Sequence, residues 1–361
     1  MNNKKEAYFT THLLQWNKEK NRRQMPWKGE KDPYKIWLSE IILQQTRVEQ
    51  GLAYYNRFIK KYPTINKLAA APEINVFKLW EGLGYYTRCK NLIYTAKFIS
   101  HDLNGKFPET YESILKLKGI GPYTASAISS FAYNLPYAVV DGNVMRVLSR
   151  FFGINTPIDS DEGKKKFTLL ANELINKKWP ALYNQAIMDF GATVCKPQLP
   201  SCSTCYLQAE CTAFKKNSVK EYPFKKGKMI KRNRWFYYII AEYRGCIYIR
   251  KRVQKDIWQN LHEFILIEKD TMVKPASILA SKQFMKIAGK KFKLVNISAV
   301  IKQQLTHQTI YGCFIHILPD KKSLLKDYEL VEKPGIEQLA FPKLITTYVA
   351  GEKAIKNWMD L

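Results

Sequence analysis

Two carboxylates in this chain stand in settings that could support acid–base chemistry. Asp141 directly precedes a helical pattern, where an aspartate acts as an N-cap and can also face a cleft. Glu40 lies in an apolar helical segment with Trp37 and Ile41, which could desolvate its carboxyl group, raise its pKa and keep it protonated near neutral pH. A plain helix cap and a solvent-facing glutamate are the alternative interpretations. The two residues are therefore candidate catalytic acids.

A glycine-containing turn precedes Asp141 in the chain. Gly119 and Gly121 lie between two helical patterns, residues 111–117 and 123–131, which is the layout of a helix-hairpin-helix. Glycines let the backbone turn tightly, so that free amides at the start of the second helix can point at an anion such as a DNA phosphate. An ordinary inter-helical turn is the alternative.

Four closely spaced cysteines indicate a metal site. They are Cys195, Cys202, Cys205 and Cys211. Disulfides are rare in intracellular proteins, so the choice lies between zinc and an iron–sulfur cluster. Structural zinc commonly uses two Cys-x2-Cys pairs and this segment has one, so the spacing favours the cluster. The isolated cysteines have apolar or strand-like surroundings and are interpreted as packing residues: Cys89, Cys246 and Cys313.

The pattern of apolar residues, which predicts the elements that position these side chains, changes near residue 215. Before it, apolar residues recur at helical spacing in residues 36–43, 76–83, 92–99 and 167–175. After it, a basic stretch at 215–234 contains nine Lys/Arg and one acid, typical of a linker, a DNA-facing arm or a solvated connector. Strand-like runs follow at 235–240, 246–250, 264–267 and 311–318. The C-terminal part is therefore predicted to be α+β.

The composition favours a nucleic-acid partner. Lys+Arg number 58 against 31 Asp+Glu, which gives a formal net charge of +27 and a pI near 9.6. Such a surplus binds phosphate backbones through counterion release. No apolar run approaches the roughly 18 residues that a membrane span needs, and the N-terminus lacks a signal-peptide core. We expect a monomeric cytoplasmic protein without a membrane partner, associated with the nucleoid if its source is bacterial.

The order of several motifs resembles the MutY family of adenine DNA glycosylases. They are residues 26–27 (Pro-Trp), 37–46 (Trp-Leu-Ser-Glu-Ile-Ile-Leu-Gln-Gln-Thr), 81–86 (Glu-Gly-Leu-Gly-Tyr-Tyr), 117–124 (Leu-Lys-Gly-Ile-Gly-Pro-Tyr-Thr), 140–150 (Val-Asp-Gly-Asn-Val-Met-Arg-Val-Leu-Ser-Arg) and the four cysteines. The resemblance is highly specific over 25–211 and looser beyond. It implies removal of adenine mispaired with 8-oxoguanine, and of adenine opposite guanine, in double-stranded DNA during base excision repair.

The resemblance also implies a domain organisation. We expect a mainly α helix-hairpin-helix DNA glycosylase fold over residues 1–214, with a six-helix barrel at about 29–136 and a cluster domain formed from 1–28 and 137–214. A basic linker at 215–234 would lead to a C-terminal α+β Nudix-like domain at 235–361 that recognises 8-oxoguanine. No carboxylate-rich Nudix hydrolase box is present, so nucleotide hydrolysis is not expected.

The resemblance assigns roles to particular residues of this chain. Glu40, Asp141, Tyr123 and Asn143 would be catalytic, and the four cysteines would hold a [4Fe-4S] cluster. The DNA- or base-binding set would be Arg23, Trp27, Lys28, Gln45, Thr46, Tyr85, Gly119, Gly121, Thr306 and His307. The family commonly has Phe-Ser-His where this chain has Leu305, Thr306 and His307, and a tryptophan where it has His262. These departures bear on how strongly 8-oxoguanine is preferred.

Two other functions compete with adenine excision. The related endonuclease III branch is a bifunctional glycosylase and lyase for oxidised pyrimidines, and it uses a lysine that forms a Schiff base with the sugar. This chain has Tyr123 at that position, and a phenol cannot form an imine. We therefore expect a monofunctional glycosylase. A non-catalytic DNA-binding protein would require Glu40 and Asp141 to be dispensable.

Overall fold

Contacts divide the chain into two compact units. The computed structural model describes residues 3–227, 231–289, 291–323 and 325–351. Residues 1–69 and 94–227 form one unit, here called the helical unit, and residues 70–93 and 228–361 form the other, called the sheet unit. Within the described residues, no helix is long and apolar enough to cross a membrane.

Helices dominate the chain up to residue 215. They are α1 (Asn3–Glu19), α2 (Pro33–Leu43), α3 (Val48–Lys61), α4 (Ile65–Ala69), α5 (Glu73–Trp80), α6 (Tyr86–Asp102), α7 (Tyr111–Leu115), α8 (Pro122–Tyr133), α9 (Gly142–Phe152), α10 (Asp161–Leu174), α11 (Pro180–Thr193) and α12 (Thr212–Lys215), with short 3-10 turns at Cys202–Thr204 and Gln208–Glu210. The helical spacings found in the sequence are thereby confirmed.

Strands follow after residue 231, with short helices between and after them. They are β1 (Arg232–Tyr243), β2 (Cys246–Lys251), β3 (His262–Glu263), β4 (Ile265–Lys269), α13 (Pro275–Leu279), α14 (Lys282–Ala288), β5 (Phe292–Ile297), β6 (Ile301–Gln304), β7 (Gln308–Pro319), β8 (Glu329–Glu332), α15 (Lys333–Ile336) and α16 (Lys343–Gly351). The predicted α+β character of this part is confirmed.

Helix α2 is an apolar element in the interior of the helical unit. Its start is fixed by Asp32, whose side chain accepts a hydrogen bond from Tyr34 N at 2.9 Å, and by Pro33 in the first turn. Most of its side chains are buried, and it packs against α3 and α8. Any polar side chain on this helix is consequently drawn into an apolar environment.

The turn between α7 and α8 has the predicted helix-hairpin-helix layout. Gly119 has φ = 82°, a left-handed conformation that favours glycine. Gly121, the N-cap of α8, has φ = −98°, which any residue adopts, and a Cβ there would meet nothing within 4 Å. The tight turn therefore depends on Gly119, whereas Gly121 leaves open space in front of the uncapped amides of α8.

A second group of helices packs around its own apolar core in the helical unit. Helices α1, α9, α10 and α11 contribute its largest buried side chains, which include Phe9, Phe151, Phe167, Tyr183 and Phe190. Gly191 of α11 allows a close approach to α9, because a Cβ there would lie 2.7 Å from Asn143 Cβ. The start of α9, where Asp141 lies, is thus held against α11.

The sheet unit contains a mixed sheet covered by helices on both faces. The strand order is β3-β2-β1-β7-β5, with β4 on β1, β6 on β7 and β8 on β2. Strands β1 and β7 are parallel, from Arg232↔Gln308 to Ala241↔Ile317, and the other pairs are antiparallel. Helices α13 and α14 pack on one face, and Tyr348 of α16 stacks on Phe314 of the other.

Residues 70–93 group with the sheet unit, and the six-helix barrel at about 29–136 stays a prediction. Lys78 Nζ donates to Leu339 O at 2.9 Å, and Phe341 N donates to Glu81 Oε1 at 2.7 Å. These bonds connect α5 and its C-cap to a segment some 260 positions further along the chain. A local sequence pattern does not report contacts at such separation.

Candidate active site

Helices α2, α8, α9 and α11 of the helical unit surround a cavity of about 610 Å³. The four predicted catalytic residues line it: Glu40, Tyr123, Asp141 and Asn143. Four of the predicted base-binding residues line it as well: Arg23, Trp27, Lys28 and Thr46. The cavity is large enough for a nucleobase with its sugar, since small-molecule sites commonly span about 300–1,000 Å³.

Glu40 is buried in this cavity, with 8% of its surface exposed, so the solvent-facing alternative does not hold. Burial raises the pKa of Glu40 to about 7, and the nearby charge of Asp141 acts in the same direction. A hydrogen bond from Tyr123 opposes this increase, because a donor stabilises the ionised carboxylate. A carboxyl group with a pKa of about 7 can donate a proton and take one back near neutral pH.

Tyr123 stands in the first turn of α8 and directs its hydroxyl group at Glu40. Burial raises the pKa of the Tyr123 phenol well above its usual range, as do the negative charges of Glu40 and Asp141. The phenol therefore remains a hydrogen-bond donor at neutral pH. It has no nucleophilic amine, so this position supports orientation of Glu40 and not imine formation.

Asp141 is the N-cap of α9, and both of its carboxylate oxygens accept hydrogen bonds. Val144 N donates to Oδ1 at 2.7 Å, and Asn143 Nδ2 donates to Oδ2 at 2.7 Å. Burial raises the pKa of Asp141, whereas these two bonds favour its ionised form. Asp141 is therefore both the N-cap of α9 and a carboxylate of the candidate active site. The interpretation as a helix cap and the interpretation as a catalytic acid are compatible.

Arg146 fixes the orientation of the Asn143 side chain. This buried guanidinium donates to Asn143 Oδ1 at 2.8 Å, to Gly191 O at 2.7 Å and to Cys195 O at 2.9 Å. The carbonyl of the Asn143 amide is thereby committed to Arg146, which leaves its NH2 group for Asp141. Arg146 thus bonds both the cysteine segment and Asn143, and Asn143 in turn bonds the Asp141 carboxylate.

Asp189 is a site residue that the sequence analysis missed. Its side chain is fully buried, and it accepts hydrogen bonds from Arg23 Nη1 at 2.9 Å and Lys28 Nζ at 3.1 Å. Asn21 Nδ2 at 2.9 Å and Gln185 Nε2 at 3.0 Å complete its partners. The signal that could have revealed it was a carboxylate within the apolar helix α11, the same signal that singled out Glu40 in α2.

Other predicted DNA-binding residues lie outside the cavity. Gln45 is exposed directly after α2, with φ = 55°. A left-handed conformation is unusual for a residue other than glycine, asparagine or aspartate, and such strain persists where the surroundings or the function require it. The hairpin glycines Gly119 and Gly121 do not line the cavity either.

The sheet unit brings three further predicted residues together. Thr306 and His307 are exposed at the tip of the hairpin between β6 and β7, which Leu305 N closes by donating to Gln308 O at 2.8 Å. Tyr85, which is 44% exposed with φ = 49°, shares a hydrogen bond with the hydroxyl of Thr306. His262 is half-buried, and burial lowers its pKa. It lies beside Phe341, so it is a packing residue of this unit.

The four clustered cysteines line one small cavity in the helical unit, together with Arg150. None is in a disulfide, and Arg150 Nη1 lies 3.4 Å from Cys195 Sγ. Among the described residues, no three His, Cys, Asp or Glu side chains converge as they would around a single metal ion. The isolated Cys89 and Cys313 are buried, and Cys246 is half-buried, as expected of packing residues.

Comparison with known proteins defines the class of this fold and site. Residues 38–175 match the model of the HhH-GPD superfamily of base excision DNA repair proteins. A thermostable thymine-DNA glycosylase of known structure aligns with a TM-score of 0.55 and 30% identity over 59% of this chain and 98% of its own. An endonuclease III–DNA covalent intermediate shares the fold, with a TM-score of 0.52 and 21% identity over 60% of this chain and 99% of its own. The chain is a helix-hairpin-helix DNA glycosylase.

A longer match narrows the class. The adenine DNA glycosylase of Buchnera aphidicola subsp. Baizongia pistaciae (strain Bp) is 35% identical over 322 residues, which cover 88% of each chain. The chain belongs to the MutY family of adenine DNA glycosylases, and the resemblance found in its motifs is confirmed.

Proposed function

We propose that this protein excises adenine mispaired with 8-oxoguanine, or with guanine, from double-stranded DNA by hydrolysis of the N-glycosidic bond. The observation that carries the proposal is the Glu40 carboxyl group, buried with a pKa of about 7 in a base-sized cavity that Asp141 also lines. Because the glycosidic bond is inaccessible in stacked DNA, the adenine must first be extruded into the cavity.

Proton transfer from Glu40 starts the reaction. The protonated carboxyl donates its proton to N7 of adenine, and the C1′–N9 bond breaks with its electron pair leaving on the base. Positive charge then develops on the sugar, where the Asp141 carboxylate stabilises the oxocarbenium ion or traps it covalently. Glu40, now ionised, takes a proton from water as the water adds to C1′. The products are free adenine and an abasic site.

The residues around the two carboxylates hold them ready for these steps. Tyr123 directs the Glu40 carboxyl group, and Asn143 with Val144 N orients both oxygens of Asp141. Arg23 and Lys28, anchored on Asp189, line the base pocket with Trp27. Preorganised groups of this kind need no rearrangement as charge develops.

Recognition of the opposing base is assigned to the sheet unit. The exposed Thr306 and His307 at the hairpin tip, with Tyr85 beside them, form a surface with hydroxyl and imidazole groups suited to the edges of 8-oxoguanine. The mixed sheet with helices on both faces is compatible with a Nudix-like domain. Thr306→Ala should reduce the preference for adenine opposite 8-oxoguanine over adenine opposite guanine, whereas Thr306→Ser should preserve it.

The four cysteines suit a [4Fe-4S] cluster. They line one small cavity, and their spacing, with a single Cys-x2-Cys pair, favours a cluster over structural zinc. When bound, the cluster would cross-link residues 195–211 and leave the acid–base chemistry to the carboxylates. Iron and sulfide analysis with a broad absorption near 400 nm would support it. One equivalent of zinc without iron would contradict it.

Adenine excision is tested by incubating the protein with duplexes that carry adenine opposite 8-oxoguanine, adenine opposite thymine, or an oxidised pyrimidine. Alkali-dependent strand breaks at the adenine opposite 8-oxoguanine are the expected result. Alkali-independent breaks at the oxidised pyrimidine would instead assign the protein to the bifunctional branch. Glu40→Gln and Asp141→Asn should abolish excision, while Glu49→Gln, an exposed position on α3, serves as the matched control.

A further inference from the structure

The mouth of the active-site cavity carries two large apolar side chains that face solvent. Trp179, directly before α11, is 54% exposed, and Leu182, one turn further, is 48% exposed. Both line the same cavity as Glu40 and Asp141. Large apolar groups gathered at the rim of a site commonly mark an interaction surface. We call Trp179 and Leu182 the apolar lip.

The backbone that displays the indole is held on both sides. Trp179 N donates to Asn176 Oδ1 at 2.9 Å, and Trp179 O accepts from Tyr183 N at 3.0 Å. Pro180 then starts α11 with a fixed φ. The ring is therefore presented on a fixed backbone and contributes contact area at low conformational cost on binding.

The lip is bordered by positive charge. Lys178 Nζ lies 5.6 Å from the Trp179 ring, and Lys177 is its exposed neighbour. Lys31, whose Nζ donates to Phe131 O at 2.9 Å, lines the same cavity. An exposed aromatic ring flanked by lysines matches a strand of DNA, whose bases and sugars offer faces and whose phosphates offer charge.

We infer that the apolar lip docks the DNA strand that carries the extruded adenine, with Trp179 packed on the nucleotide next to it. The inference rests on the proposed function, because it takes the cavity to be the place of the extruded base. The apolar lip would cover the gap that the extruded adenine leaves in the DNA base stack. It would thereby favour the state in which the adenine is extruded. It would contribute to binding and to positioning, while proton transfer remains with Glu40.

Trp179→Ala, Trp179→Phe and Leu182→Ala test this inference, with Leu169→Ala as control. Leu169 is 56% exposed on α10 and does not line the cavity. On a duplex with uncleavable 2′-fluoroadenosine opposite 8-oxoguanine, Trp179→Ala should raise Kd by about five- to a hundredfold, since stacking on an aromatic ring contributes about that much per base. Trp179→Phe should retain most of the affinity, and Leu169→Ala all of it. Circular dichroism should report unchanged folding, because Trp179 lies outside the core.

Acrylamide quenching of tryptophan fluorescence gives a second measurement that does not depend on excision. Trp179 is the exposed tryptophan among those of the described residues. The difference in fluorescence between the wild type and Trp179→Phe is therefore the contribution of Trp179. Bound DNA should protect this contribution from acrylamide quenching. Unchanged Kd in Trp179→Ala, or an indole equally quenchable with and without DNA, would overturn the inference. A wild-type protein that binds DNA with protection of Trp179 but leaves adenine in place would contradict the proposed function alone.

Discussion

The phenol of Tyr123 is hydrogen-bonded to the carboxyl group of Glu40 inside the cavity of the helical unit. This bond favours the ionised form of Glu40, whereas burial favours the protonated form, and burial dominates. The result is a carboxyl group with a pKa of about 7, near the pH at which a group that both donates and accepts a proton is most useful.

The rate of adenine excision should fall as the pH rises through 7. The proposed first step needs protonated Glu40, and its pKa is raised from 4.5 to about 7. The single-turnover rate on an adenine·8-oxoguanine duplex should therefore decline about tenfold per pH unit above the pKa. Rate measurements from pH 5.5 to 9.5 at constant ionic strength would reveal this decline, which is the alkaline limb of the pH–rate profile. A rate that stays flat up to pH 9 would argue against Glu40 as the acid.

Glu40→Gln should abolish excision and yet stabilise the protein at alkaline pH. A raised native pKa means that the folded state keeps its proton to higher pH than the unfolded state. Glu40 therefore costs no stability below pH 4.5, an increasing amount between pH 4.5 and about 7, and a constant amount above that. The neutral amide avoids this cost, so the free energy of unfolding should increase by about 1–3 kcal/mol at pH 8.5 and little at pH 5. Urea denaturation at the two pH values measures the difference. Glu49→Gln, at an exposed position of α3, is the control for replacing a glutamate by glutamine.

Tyr123→Phe should move the alkaline limb of the rate profile to higher pH. Loss of the phenol removes the donor that stabilises ionised Glu40, so the pKa of Glu40 should rise further. The maximum rate should fall because the carboxyl group loses its orienting partner. A lower rate with an unshifted limb would show that Tyr123 acts by packing alone.

Asp189→Asn should impair both the base pocket and stability. Asp189 is fully buried and binds the charged groups of Arg23 and Lys28, so loss of its charge leaves two cations without their counter-ion. We expect a loss of about 2–4 kcal/mol in unfolding free energy and a single-turnover rate reduced about ten- to a hundredfold by misplaced pocket residues. Asp161→Asn, at an exposed position of α10, is the control. Equal single-turnover rates in Asp189→Asn and Asp161→Asn would show that Asp189 does not support the base pocket.

Gly191→Ala should disturb Asp141 through Asn143. The added methyl group would lie 2.7 Å from Asn143 Cβ and 3.0 Å from its carbonyl oxygen, so α9 and α11 must separate. Overpacking of this kind commonly costs about 1–3 kcal/mol, and the rate should fall with the loss of the Asn143–Asp141 bond. Gly142→Ala, where a Cβ meets nothing within 4 Å, should keep its thermal stability. Equal melting temperatures for Gly191→Ala and Gly142→Ala would contradict the close approach of α9 and α11 at Gly191.

The sequence by itself determined the types and local positions of the central residues. Glu40 stands out because it interrupts an apolar helical run, and Asp141 because it precedes a helix that it then caps. The hairpin and the cysteine spacing are equally local. Helix periods, caps and short motifs depend on neighbours within a few positions, so they can be interpreted without knowing the fold.

Only the tertiary structure decided how those residues are held. Asp189 meets Arg23 across 166 positions, and Gly191 faces Asn143 from another helix. The pKa of Glu40 likewise depends on its burial in the fold and on Tyr123 and Asp141, which come from other helices. Such contacts arise when distant segments pack, and the free energy of burying a charge is set by all the groups around it. No local pattern contains that information.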